Sequence, residues 1–112
     1  MSLEDSIRGM EELVARMRYV SEGMEVRSED HNLLYQFVGY AISAVRELYS
    51  EFKRKTGRSL PKVELWLRMA EERHLIDRLV FSMDRVIPPD HNLIIDCLKP
   101  LELCLIEMER NL

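Results

Sequence analysis

Glycine and proline are scarce, four of each in 112 residues. That argues against a disordered linker, a collagen-like repeat or an all-β chain rich in turns. No apolar run approaches the roughly 20 residues that cross a bilayer as a helix. The opening stretch MSLEDSIRGMEEL is acidic and amphipathic, unlike a secretion signal with its basic start and apolar core, so the cytoplasm is the expected compartment. There is no Gly-rich phosphate loop and no Cys-x-x-Cys pair. The only cysteines, Cys97 and Cys104, are seven residues apart. On one helix they stand about 10.5 Å apart along the axis, beyond the ~7 Å between Cα atoms that a disulfide spans. Both lie in an apolar run, so buried free thiols are expected. Amides are few as well: one Gln and three Asn beside twelve Arg and four Lys, a balance that fits a thermophilic source.

What is present is helical patterning. Leu3, Ile7, Met10, Val14, Met17 and Met24 follow a 4,3 spacing. So do Leu34, Val38, Ala41, Val45, Leu48 and Phe52, and again Ile94, Leu98, Leu101, Leu105, Met108 and Leu112. Each set forms one stripe on a helix, and strand-like alternation is missing. Four helices are predicted, at about 3–24, 30–56, 61–86 and 89–111. Gly23 and Gly57 are placed to end the first two in the left-handed conformation. Pro61, Pro88 and Pro89 fall at helix starts, where a missing N–H costs little. Pro100 lies inside the fourth helix and is expected to kink it.

The chain also repeats itself. Displacing it by sixty residues aligns Glu4 with Glu64, Arg8 with Arg68, Glu11 with Glu71 and Asp-His-Asn-Leu at 30–33 with the same quartet at 90–93. Twelve of 52 pairs are identical, against about four for unrelated helical segments of this composition. One domain of two duplicated helix-loop-helix units is expected, with halves 1–57 and 58–112. Short connections make sequential helices antiparallel neighbours, so the predicted fold is an all-α, up-down-up-down four-helix bundle.

Three places could carry chemistry. The two quartets begin helices two and four, where Asp30, Asp90, Asn32 and Asn92 suit the free N–H groups and positive end of a helix. His31 and His91 have no special use there. With helices two and four diagonal in the bundle, about 14 Å apart, the two imidazoles and the carboxylates of Asp30 and Asp90 could converge on a divalent metal. Repeated capping is the preferred reading.

On helix three, His74 and Asp77 occupy stripe positions that hold Val14 and Met17 on helix one, with Arg73 four residues before Asp77. A carboxylate beside an imidazole on one helical face is an acid/base arrangement. The preferred alternative is a rotated helix three that buries Leu65, Met69, Ile76, Leu79, Val80 and Met83 and leaves His74 and Asp77 at an edge. Di-metal carboxylate bundles need two Glu-x-x-His motifs. Here Glu71 and His74 make one, and its mate reads Glu11-x-x-Val14. Arg68 and His74 have the spacing of the Arg…His element of HEPN-class ribonucleases, but Met69 stands at that element's polar position. No family follows from these fragments.

Third, Lys53, Arg54, Lys55, Arg58 and Lys62 form a basic segment at the end of helix two, in a chain of formal charge −4. Cations there offset the helix dipole. Without interleaved aromatics for base stacking, nucleic-acid binding is not expected.

Helices two and four are apolar beyond one stripe. Leu33, Phe37, Tyr40 and Tyr49 flank the first, and Leu93, Ile95, Cys97, Leu103 and Ile106 flank the second. A bundle of this size needs about three apolar positions in seven, so a further surface is expected to be covered by association. The leading expectation is a non-catalytic module that forms a homodimer or binds a protein partner, with Ile95, Leu103 and Ile106 in the interface and no cofactor. The alternative is a small metal-binding or hydrolytic bundle using His31, His91, His74 and Asp77.

Overall fold

The computed structural model describes the backbone of residues 2–23, 28–82 and 88–112, and the side chains of 2–19, 35–75 and 97–112. Four helices account for nearly all of it: α1 (Leu3–Gly23), α2 (Ser28–Thr56), α3 (Pro61–Ser82) and α4 (Pro88–Arg110). No strand occurs among the described residues. The 29 residues of α2 reach about 43 Å at the rise of an α-helix. That length sets the long dimension of a molecule measuring 44 × 22 × 17 Å.

The turn between α2 and α3 follows from its local chemistry. Gly57 sits at φ 69° and its N–H donates to the Lys53 carbonyl at 2.8 Å, so the left-handed stop occurs where the sequence places it. Pro61 opens α3, where its lack of an N–H leaves nothing unpaired. The Tyr49 hydroxyl ties the corner together. It accepts from the Leu60 N–H at 2.8 Å and lies 3.3 Å from the Leu60 carbonyl. Burial pushes its pKa up, which keeps that hydroxyl a donor. Tyr49 therefore belongs to the core, 4% exposed, and not to a surplus outer face. Cys97, also expected to flank the stripe of α4, is fully buried as well.

One hydrophobic cluster draws on all four helices, and some of its members recur at a separation of sixty. Leu3 and Ile7 are buried, as are Val63 and Leu67; Val38, Ala41 and Val45 are buried, as are Leu98, Leu101 and Leu105. Where their side chains are described, the stripes read from the sequence face the core, except that Leu112 at the end of the chain is exposed. Among its described side chains α3 buries Val63, Leu67 and Ala70, while Leu65 and Met69, expected inside, are exposed; those of Ile76, Leu79, Val80 and Met83 lie outside the described residues. The Val63–Leu67–Ala70 line meets α4 with two of its carbonyls in reach of cysteine side chains. The thiol of Cys97 donates to the Ala70 carbonyl and that of Cys104 to the Val63 carbonyl, each at 3.6 Å. Both steps are seven residues, two turns on each helix, taken in opposite chain directions. Burial pushes the Cys104 thiol up to about 12, so it stays protonated and free of any disulfide.

Other contacts give the remaining directions. Arg8 meets Glu109 and Arg18 meets Glu102, so α1 and α4 run oppositely. Arg46 pairs with Glu71, and Tyr35 with His74, so α2 and α3 do too. The cross-section departs from a square. Helices α2 and α4, expected about 14 Å apart, pack directly on one another, and α1 and α3 do not meet among the described residues. Small and medium side chains on the facing stripes, Ala41 and Val45 among them, allow that approach. Helix α4 continues through Pro100, which is buried and has no N–H to give to the Asp96 carbonyl.

Candidate functional site

His74 is the candidate the structure describes most fully. At the stripe position matching Val14, its half-buried ring stacks on Tyr35 with centroids 4.1 Å apart and planes 10° from parallel. Its Nε2 lies 2.9 Å from the Tyr35 carbonyl oxygen. A carbonyl only accepts, so Nε2 carries the proton, and in the neutral ring Nδ1 holds the lone pair. Space for the ring comes from Gly39 of α2: a Cβ there would fall 3.2 Å from His Cε1 and 3.4 Å from Nε2. A glycine in mid-helix costs about 1 kcal/mol relative to alanine, and here it admits a side chain from the neighbouring helix. Arg73 is exposed and makes interactions of its own. The side chain of Asp77 lies outside the described residues, so its pairing with His74 or Arg73 is not described.

The quartets hold matching places. Asp30 is the third residue of α2, which begins at Ser28, and Asp90 the third of α4, which begins at Pro88. They lie inside the first turn and not before it, a position where acids also favour the helix dipole. The side chains of Asp30, His31, Asp90 and His91 lie outside the described residues. Among the described residues no three His, Cys, Asp or Glu side chains gather as a metal site would require.

The basic segment spans the last turn of α2, the turn beyond it and the start of α3. Lys53, Arg54, Lys55, Arg58 and Lys62 are all exposed. Lys53 lies over the Tyr49 ring, 4.7 Å from its centroid. Beside it, between α2 and α3, charges alternate in a groove lined by Arg46, Lys53, Glu64, Arg68 and Glu71, with Arg46 and Glu71 paired.

The most distinctive surface is apolar. Between α1 and α2 an open groove of about 360 Å³ is lined by Met10, Leu13, Met17, Phe37, Tyr40, Ala41 and Ala44, with almost no polar surface. Tyr40 is 70% exposed, Leu13 50% and Phe37 46%. Helix geometry accounts for this. Phe37, Tyr40 and Ala44 are a turn apart on the flank of the α2 stripe, and Leu13 flanks the stripe of α1 between Met10 and Met17. Of the interface residues expected on α4, Leu103 and Ile106 are exposed, and the side chain of Ile95 lies outside the described residues. Ile106 borders a more polar hollow with Glu11, Ala15, Arg18, Tyr19 and Glu102. The sequence pointed to Phe37 and Tyr40 but not to Leu13. The available signal was a leucine one position before a stripe residue, on the side facing α2.

Comparison of the chain with protein-family models, with curated proteins and with solved structures finds no match.

Proposed function

We propose that this chain is a non-catalytic helical module that works by self-association, as a cytoplasmic homodimer, and that the α1/α2 groove is its interface. The observation that carries the reading is the contiguous apolar surface of Leu13, Phe37 and Tyr40 around a groove floored by Met10, Met17, Ala41 and Ala44. An isologous two-fold interface must be complementary to itself. This one presents projecting aromatic side chains beside a hollow with small residues, so Tyr40 and Phe37 of each copy can enter the groove of the other. Aromatics and Met are also the residues enriched in interface cores. Leu103 and Ile106 on α4 belong to the same proposal as a secondary face. We further infer an up-down-up-down order of the helices within a single domain, supported by the opposed pairings of α1 with α4, α3 with α4 and α2 with α3, and a duplication of the halves, supported by the matched burial of Leu3 with Val63, Ile7 with Leu67, Val38 with Leu98, Ala41 with Leu101 and Val45 with Leu105.

Charge substitution separates the two faces. Phe37→Glu and Tyr40→Glu are expected to convert dimer to monomer at micromolar concentration with little change in melting temperature, measured by light scattering after gel filtration. Leu103→Glu is expected to have the smaller effect. If Leu103→Glu alone dissociates the dimer, the interface lies on α4 instead.

A further inference from the structure

One oxygen of the Glu11 carboxylate meets no hydrogen-bond donor. Glu11 sits on α1, half-buried against α4, and its Oε1 is shielded from solvent with no N–H or O–H directed at it. Such an atom costs about 1–3 kcal/mol when left unpaired, and more when charged. Across the seam Glu109 of α4, another carboxylate, takes Arg8 one turn before Glu11 on α1, and it has nothing to donate while both are ionised. Arg8 is engaged elsewhere, donating through Nε to Glu109 at 3.4 Å and through Nη2 to Glu4 at 3.3 Å. Further along the same seam Arg18 is held by Glu102 at 2.9 Å. On its other side α1 faces α2 through Met10, Leu13 and Met17, which bring no charge. Helix α3 does not reach α1 among the described residues.

We propose that Glu11 and Glu109 form a one-proton latch across the α1/α4 seam, closed by a carboxylic acid–carboxylate hydrogen bond and released when that proton leaves. Glu11 carries the proton, because its oxygen is the shielded one, and Glu109 keeps the charge, because Arg8 attends it. The electrostatics run the same way. Burial, then the hydrogen bond to Glu109 and its charge, push Glu11 up to about 7, against the smaller opposing pull of Arg8. The hydrogen bond from Glu11, with Arg8, holds Glu109 below the usual carboxylate range. The acid donates O–H to the carboxylate when closed. When open, the proton passes to solvent and two anions face each other across the seam.

The sign follows from linkage. The Glu11 contribution is complete below its unfolded value of 4.5 and is lost as pH rises through about 7. The Glu109 contribution is present above the usual carboxylate range and is lost as pH falls below it. The seam is therefore tightest on the mildly acidic side of neutrality and loosens near pH 7. Helix α1 also supplies Met10, Leu13 and Met17 to the apolar groove, so the latch sets one wall of that groove. The latch itself needs no second copy, and its test stands apart from that of the dimer.

The experiment is a carboxyl-carbon NMR titration of the wild-type chain, with Glu11→Gln and Glu109→Gln beside it. One wild-type glutamate is expected to titrate with a midpoint near 7, to vanish in Glu11→Gln and to fall in Glu109→Gln while staying above the ordinary carboxylate range. Amide protection in α1, corrected for intrinsic exchange, should fall several-fold from pH 6 to pH 8 in the wild type and stay level in Glu11→Gln, whose amide still donates to Glu109. A Glu11 midpoint in the ordinary range, or one unmoved by Glu109→Gln, overturns the latch. Equal protection of α1 at both pH values in the wild type overturns its opening.

Discussion

Gly39 and His74 show how a single missing methyl group shapes the contact between two helices. Replacing Gly39 with alanine gains about 1 kcal/mol of helix propensity. It also puts a Cβ 3.2 Å from the imidazole, and overpacking of this kind costs about 1–3 kcal/mol. The expected result is a net loss of about 1 kcal/mol for Gly39→Ala in urea melts. In Gly39→Ala/His74→Ala that steric cost disappears, giving a favourable coupling between the two positions. Additive losses would show that the ring does not occupy the slot. The sequence marked His74 as an irregularity on an apolar stripe but did not reveal its partner. Nothing in the spacing of α2 says that a glycine 35 residues earlier opens a space for it. Glu11 was invisible for the same reason: on its own helix it reads as one more solvated acid, and its orphaned oxygen exists only because α4 covers it.

At the scale of the element, legibility was high where local physics decides. The stripes of α1, α2 and α4, the left-handed stop at Gly57 and the proline start of α3 follow from periodicity and from the stereochemistry of two residue types. The rotation of α3 did not. Its apolar residues nearly encircle the helix, with Leu65 and Met69 as hydrophobic as Val63 and Leu67, so periodicity alone left two faces open. The choice was made by the neighbour, since Cys97 and Cys104 of α4 reach the carbonyls of Ala70 and Val63. Tyr49 was misjudged in the same way, counted as surface because its bond to Leu60 crosses from α2 to the next turn. That bond gives a direct check. Tyr49→Phe leaves the Leu60 N–H without its acceptor and should lower stability by about 1–2 kcal/mol, seen in chemical denaturation without a change in helix content. A loss near zero would mean that water replaces the hydroxyl there.

For the whole molecule the central question is which surface remains to be covered. A chain of this length buries its four stripes in one cluster and still leaves Tyr40, Phe37 and Leu13 facing solvent beside a groove of about 360 Å³. The surplus of apolar residues was legible from composition and spacing. Its location was legible only in part: the spacing pointed to Ile95, Leu103 and Ile106 of α4, of which Leu103 and Ile106 are exposed, but it left out Leu13 of the α1/α2 groove. The measurement that tests the account most directly is sedimentation equilibrium of the wild-type chain from about 1 to 100 μM, at pH 6, where the α1/α4 latch is closed. A mass of twice the 13.3 kDa subunit, reduced to one subunit by Tyr40→Glu, is the predicted result. A single-subunit mass across the whole range would contradict self-association as the role of this protein.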